Sequence, residues 1–202
     1  MFTIRSSGYE NATRRFEEIL QTKLGIPMAP LHRMVKPSSM VFGDLANAAR
    51  YGRTPDYNPR NVRQLTHSTA GDIDRALSGT KMAGLGAAFK RAEAAHGINA
   101  WVLTAIASHE SAFGTSQIAR DKKNLFGFQA YDSSPYASAR TFRTVEEGID
   151  HVAAYLSKSY LTKGGEYYHG LAIDDIGRRY ATDPQWAQKV RTHLEALIQR
   201  SE

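Results

Sequence analysis

One stretch of the chain, residues 99–124, constrains the fold most strongly, because it predicts a helix that ends on a carboxylate. Asn99 is a favourable N-cap, and Ile98 suits the outer position of a hydrophobic staple. From Ala100 the apolar residues have helical spacing, and Glu110 continues their stripe. Such a carboxylate is either desolvated, which favours its protonated form, or opens into a cleft, and both environments suit a general acid. The spacing alone favours a simpler alternative, a solvated glutamate in the last turn.

The composition is that of a globular protein, with 202 residues, 42% of them hydrophobic and 23% charged. This length accommodates one substantial domain, or a domain with an extension. The chain has no cysteine, which excludes disulfides, thiolate metal sites and a cysteine nucleophile. The N-terminal sequence lacks the basic start and apolar core of a signal peptide, and no apolar run approaches the ~20 residues of a membrane span. We therefore expect neither Sec-dependent export nor a membrane-embedded chain.

The first third of the chain differs from the rest in charge. Residues 1–70 contain 10 Lys and Arg against 5 Asp and Glu, whereas residues 71–202 contain 16 against 15. One amphipathic helix is predicted over residues 13–24, followed by an irregular segment rich in Pro and Gly. We therefore divide the chain into a basic N-terminal arm, residues 1–67, and a second domain, residues 68–202. The charge of the arm suits anionic polymers, although scattered arginines without interleaved aromatic residues are more typical of a solvated surface.

The second domain is predicted to combine helices with a short β-hairpin. Capping signals and apolar spacing predict helices that start near Thr69, Leu85, Asn99, Ser116, Thr144, Ala172 and Asp183. The last of these takes Asp183 as its N-cap and Pro184 as its first residue. Alternation in NLFGFQAYD predicts a strand over residues 124–132, and a second strand is predicted over residues 140–143. The pattern indicates a mainly α (α+β) fold.

Five segments of the second domain occur in a characteristic order: HESAFGTSQIA, NLFGFQAYD, FRTVEEGIDHVAAYL, YLTKGGEYYHG and YATDPQWAQKV. Together they resemble the glucosaminidase family of peptidoglycan hydrolases, glycoside hydrolase family 73. The resemblance covers roughly residues 69–197 and leaves residues 1–67 outside it. It implies a lysozyme-like fold, in which a helical lobe and a small β-hairpin lobe flank a groove for a glycan chain. It also implies cleavage after N-acetylglucosamine in the alternating polymer of the cell wall.

The resemblance implies catalytic roles for particular residues. Glu110 matches the family's acid, which protonates the glycosidic oxygen of the leaving sugar, and Tyr180 matches a tyrosine that faces the groove near it. Glycoside cleavage usually needs a second carboxylate, for which Asp132 is one candidate. Glu146 and Glu147 are others, although Glu147 is also explained as half of a capping box. The acetamido group of the substrate is a further alternative for this second role.

The resemblance also implies a set of substrate-binding residues, namely Asn124, Phe126, Gly127, Tyr131 and Tyr167. For Phe126 a place in the core is an equally good interpretation, and Trp186 is expected to serve packing. His109 and His151 have no metal-ligand partners at useful spacing. We therefore expect neither a metal nor another cofactor.

The leading hypothesis is an endo-β-N-acetylglucosaminidase acting on the glycan strands of bacterial peptidoglycan. A muramidase or lytic transglycosylase would share the fold and the acid, and a non-catalytic wall-binding or virion structural module would keep the groove without turnover. The intact Glu110 favours an enzyme. Without a signal peptide, a phage endolysin released through a holin, or a lysin of the phage particle, is expected, with a bacterial autolysin as the alternative. The partners considered for residues 1–67 are anionic wall polymers and a phage structural protein, with a solvated surface as the alternative, and no nucleic-acid partner is expected.

Overall fold

The computed structural model describes residues 57–130 and 134–202, which form eight helices and no strand. In chain order these are α1 Ala70–Leu77, α2 Gly86–His96, α3 Ala100–Ser111, α4 Gln117–Lys122, α5 Pro135–Ser138, α6 Val145–Ser159, α7 Ile173–Tyr180 and α8 Trp186–Ser201. The prediction of a mainly helical fold is confirmed. None of these helices is long and apolar enough to cross a bilayer. The predicted helix over residues 13–24 lies outside the described residues, as do Tyr131 and Asp132.

Helix α3 is the centre of the domain, and all twelve of its residues are buried. A helix that is apolar on nearly every side needs neighbours around it, and α2 and α8 both pack against α3. The side chain of Asn99 accepts hydrogen bonds from the N–H groups of Trp101 and Val102, which confirms the predicted N-cap. The core therefore forms around the segment that carries Glu110.

Residues 57–67 pack against these helices, although the sequence interpretation assigned them to the arm. Val62 is fully buried, its N–H donates to the Leu171 carbonyl at 2.9 Å, and its carbonyl accepts from the Asn99 N–H at 2.8 Å. The Arg63 guanidinium donates to carbonyl oxygens near the C-terminal ends of α2 and α6, those of His96, Gly97, Ser157 and Leu161. Cations are favourable at helix C-termini, so Arg63 joins the ends of two helices.

The described residues between α4 and α6 form turns and a short helix, so the two predicted strands are wrong for residues 124–130 and 140–143. The Asn124 carboxamide oxygen accepts from the N–H groups of Phe126 and Phe128, at 3.2 and 3.0 Å. Its nitrogen donates to the carbonyls of Phe128 and Arg140, at 3.0 and 2.9 Å. Gly127 adopts a left-handed φ of 58°. One side chain thus satisfies the backbone groups that a strand partner would have bonded.

The last helix begins at Trp186, two residues after the predicted start at Pro184. The Asp183 carboxylate accepts from the Gln185 N–H at 2.8 Å and pairs with Lys189 at 2.8 Å, which closes a turn before the helix. The helical ladder starts only with the bond from Lys189 N–H to the Gln185 carbonyl. Trp186 is therefore the first residue of α8, and the turn at Asp183 sets the position from which its side chain extends.

Candidate active site

Glu110 lies in the last turn of α3 and is 8% exposed. Its Oε1 accepts a hydrogen bond from the indole Nε1–H of Trp186, at 2.7 Å. Trp186 is itself only 2% exposed. The structure excludes the alternative of a solvated glutamate and places Glu110 where its carboxyl group has a fixed orientation.

The backbone turns sharply directly after Glu110. Ala112, Phe113 and Gly114 follow one another with φ values of 49°, 55° and 79°, in the left-handed region. For a residue with a side chain this conformation costs roughly 1–2 kcal/mol. The Ser111 hydroxyl holds the turn by accepting from the Gly114 N–H at 2.8 Å. The sequence predicted that the helix breaks at Gly114, but it ends earlier, at Ser111. Backbone strain of this kind concentrates at functional sites.

Three helices meet at Glu110. Trp186 enters from α8 and packs on Tyr180 of α7, with ring centroids 4.9 Å apart and planes inclined by 33°. Gly177, also on α7, lies under the indole, because a Cβ built there would stand 3.0 Å from Cε3 of Trp186. The close approach of α7 to α8 therefore depends on the absence of a side chain at residue 177.

Tyr180 is half-buried. Burial raises the pKa of its hydroxyl well above the ordinary value, and the neighbouring Glu110 adds to the shift. The phenol therefore keeps its proton at physiological pH and is available as a neutral hydrogen-bond donor. The structure brings Tyr180 close to Glu110, as the family resemblance implied.

A row of aromatic rings leads away from the acid, and we call it the aromatic row. It consists of Trp186, Tyr180, Tyr160, Tyr155 and Phe128, with successive ring centroids 4.9 to 6.0 Å apart, and Tyr167 lies 5.0 Å from Tyr160. Tyr155, Tyr167 and Phe128 keep part of their surface exposed. Aromatic faces suit the apolar faces of sugars. Tyr167 lies beside this row with part of its surface exposed, and its role in substrate binding stays a prediction.

Other residues matched to substrate binding lie elsewhere. Asn124 and Phe126 are each 1% exposed, so the first organises the loop and the second belongs to the core. Gly127 forms the turn between them and Phe128, and it offers no side chain to a substrate. Phe128 was not singled out from the sequence, although the second aromatic residue of NLFGF could have signalled it. Tyr131 lies outside the described residues.

Two histidines, His109 and His193, lie close together beside Glu110. His109 is 9% exposed, and its ring centroid is 5.4 Å from that of His193. Burial lowers the pKa of His109, although Glu110 opposes this shift. Burial, with a contribution from His109, lowers the pKa of His193 to about 3. Both imidazoles are therefore neutral near pH 7. Within the described ranges no cluster of three or more His, Asp or Glu side chains is arranged to hold a metal ion.

Comparisons with known sequences connect this architecture to a family. The Glucosaminidase family model, described as mannosyl-glycoprotein endo-beta-N-acetylglucosaminidase, matches residues 86–199. A Streptococcus pneumoniae protein provisionally named endo-beta-N-acetylglucosaminidase is 31% identical over 200 residues, which are 95% of this chain and 30% of that protein. The similarity thus extends into residues 1–67, beyond the five motifs. A Staphylococcus aureus bifunctional autolysin is 26% identical over 89% of this chain and 17% of its own length.

Solved structures show the same fold. S. aureus autolysin E, crystallised with the muropeptide NAM-L-Ala-D-iGlu, matches with a TM-score of 0.57 and 18% identity, over 98% of this chain and 91% of that one. A major bifunctional autolysin matches with a TM-score of 0.52 and 26% identity, over 90% and 89%. The chain spans about 30% of the length of the first curated relatives. Because the family model covers more than half of the 202 residues, the chain belongs to the glucosaminidase family.

Proposed function

We propose that this chain is an endo-β-N-acetylglucosaminidase that hydrolyses the glycan strands of bacterial peptidoglycan. The observation that carries the proposal is the buried Glu110, oriented by Trp186 at one end of the aromatic row. Relatives named endo-beta-N-acetylglucosaminidase and bifunctional autolysin support it. A further structure of S. aureus autolysin E, that of a catalytic glutamate-to-alanine mutant in complex with the disaccharide NAG-NAM, supports it too.

In the proposed mechanism Glu110 is the general acid. Its proton passes to the glycosidic oxygen, the bond from this oxygen to the anomeric carbon breaks, and the electron pair remains on the departing sugar. Positive charge develops on the ring left behind. The neutral phenol of Tyr180 lies beside the acid, where it can orient the N-acetyl group of that ring by hydrogen bonding.

Hydrolysis is completed when a water adds to the anomeric carbon and gives up a proton, either directly, with the second group as its base, or after the second group has acted as a nucleophile. We propose Asp132 for this second group, with the substrate's acetamido group as the alternative. Glu147 is a weaker candidate, because its carboxylate accepts from the Arg143 N–H at 2.9 Å and its own N–H donates to Thr144. These bonds cap α6. Initial rates of Asp132→Asn and Glu147→Gln on purified peptidoglycan separate the alternatives. Full activity of both variants would leave assistance by the substrate as the mechanism.

The product identifies the bond that is cut. We expect mass spectrometry of digested peptidoglycan to show N-acetylglucosamine at the new reducing ends. Ends in N-acetylmuramic acid would instead indicate a muramidase, and 1,6-anhydro ends a lytic transglycosylase. An absence of new ends, with retained binding to walls, would indicate a non-catalytic wall-binding module.

The basic arm is proposed to attract anionic wall polymers by a screened interaction. Binding of the full chain to intact walls should then weaken between low salt and ~0.5 M, where the Debye length falls to a few ångströms. Salt-independent binding would favour a protein partner instead, such as the phage structural subunit considered from the sequence. The relatives above are bacterial proteins, and one of them is a bifunctional autolysin, which favours a bacterial autolysin over a phage lysin as the origin of this chain.

A further inference from the structure

We propose that Trp186 is a positioning residue for catalysis, which holds Glu110 by Oε1 and so makes Oε2 the oxygen that transfers the proton. This inference rests on the proposed role of Glu110 as the acid. Its basis is the 2.7 Å bond from the indole Nε1–H to Oε1, made between two side chains that are 2% and 8% exposed. The sequence alone indicated only packing for this tryptophan.

The chemistry of the two groups decides which oxygen carries the proton. An indole N–H donates and never accepts, so Oε1 must act as the acceptor in both protonation states of Glu110. In the neutral acid the carbonyl oxygen is the better acceptor, which leaves the transferable proton on Oε2. Trp186 therefore selects one of two otherwise equivalent oxygens for catalysis.

The same bond strengthens during the reaction. When Oε2 gives its proton to the glycosidic oxygen, Glu110 becomes a carboxylate, and the indole bond to Oε1 becomes charge-assisted. Interactions that are stronger in the transition state than in the bound substrate raise the turnover rate. The loss of the indole donor should therefore lower kcat and leave KM nearly unchanged.

The position of the donor is set by helices other than the one that carries the acid. Trp186 is the first residue of α8, lies over Gly177 of α7 and packs on Tyr180, whereas Glu110 belongs to α3. A donor fixed in this way needs no reorganisation as charge develops on the acid. The indole N–H of Trp186 is thus a preorganised hydrogen-bond donor to the Glu110 carboxyl group.

Spectroscopy tests the bond directly, because the chain has two tryptophans. The other, Trp101, is fully buried near the start of α3, and its indole N–H donates to the Ser68 hydroxyl at 3.0 Å. In the full chain labelled with 15N-tryptophan, Trp101→Phe assigns the two indole signals. The Trp186 signal should shift in Glu110→Gln, because this substitution changes the acceptor of the indole N–H, whereas the Trp101 signal should stay in place. A Trp186 signal that is unchanged by Glu110→Gln would overturn the proposal.

Kinetics tests the positioning role. Trp186→Phe and replacement of Trp186 by the isostere β-(3-benzothienyl)alanine both remove the N–H, and the isostere keeps the volume. We expect both to lower kcat on peptidoglycan roughly 10- to 100-fold, the loss typical of a hydrogen bond to a charged group, with KM nearly constant. Trp101→Phe is the matched control and should keep kcat within about 2-fold.

The outcomes separate the two proposals. Wild-type kcat for the isostere, together with an inactive Glu110→Gln variant, would overturn the positioning role and leave the acid in place. Equal losses for the isostere and for Trp101→Phe would also overturn it, because the effect would then be structural. An active Glu110→Gln variant would instead overturn the proposed function itself.

Discussion

A buried glutamate lies at each end of the central helix α3, and the surroundings of the two differ. Glu93 belongs to α2 and lies at the N-terminal end of α3, whereas Glu110 belongs to α3 and lies at its C-terminal end. At the N-terminal end Glu93, 3% exposed, accepts from the N–H groups of Thr66 and Ala100 at 2.8 and 2.9 Å and forms an ion pair with Lys90. At the C-terminal end Glu110, 8% exposed, accepts from the indole of Trp186. Burial alone therefore does not distinguish the two carboxylates.

The helix explains the difference between its ends. Its N-terminus presents unpaired N–H groups and the positive end of the macrodipole, both favourable for a carboxylate, and Glu93 uses them. The C-terminus presents carbonyl oxygens and the negative end of the macrodipole, which do not favour a carboxylate. Trp186 supplies a donor from another helix. We infer that Glu93 anchors the fold, whereas Glu110 is placed for proton transfer.

The largest expected effect is the loss of activity in Glu110→Gln. Removal of a general acid costs roughly 10²- to 10⁴-fold in rate. The amide can still accept from the Trp186 indole, so the melting temperature should stay near that of the wild type. Activity is measured as release of reducing ends from peptidoglycan. Retention of more than about a tenth of the wild-type rate would show that the comparison assigns the acid wrongly.

The opposite result is expected at the other end of the helix. Glu93→Ala leaves two buried N–H groups without their acceptor, at about 1–3 kcal/mol each, and removes the partner of Lys90. We expect the free energy of unfolding in urea to fall by about 2–4 kcal/mol, with kcat of the folded fraction unchanged. Glu93→Gln keeps an acceptor and should lose less. A stable but inactive Glu93→Ala variant would break the contrast between the two glutamates.

The smallest effect is expected for Gly177→Ala, which sharpens the comparison at the Trp186 end. The new Cβ would stand 3.0 Å from Cε3 of Trp186, so the ring must shift by a few tenths of an ångström. Small displacements near a reacting group slow catalysis, and we expect kcat to fall roughly 3- to 10-fold. The control is Gly71→Ala on α1, where the nearest atom is 3.6 Å away. Equal kcat for the two variants would show that Glu110 tolerates movement of the indole.

Local sequence was sufficient for the elements whose bonds are local. The Asn99 cap joins neighbouring residues, and the apolar spacing of α3 placed Glu110 at its end. The strands failed for the opposite reason, since the Asn124 side chain reaches Arg140, sixteen residues away. A loop closed by such a side chain has the alternating pattern of a strand but none of its pairing.

The sequence by itself determined a helical domain around α3, the position of Glu110 in it and the kinship of the motifs, because periodicity and capping act over a few residues. Only the tertiary structure decided which side chain forms a hydrogen bond with Glu110. Its bond to Trp186 joins residues 76 positions apart, and it forms because the turn at Asp183 and the bare surface of Gly177 direct the indole. Helix packing sets such contacts, and no local pattern encodes them.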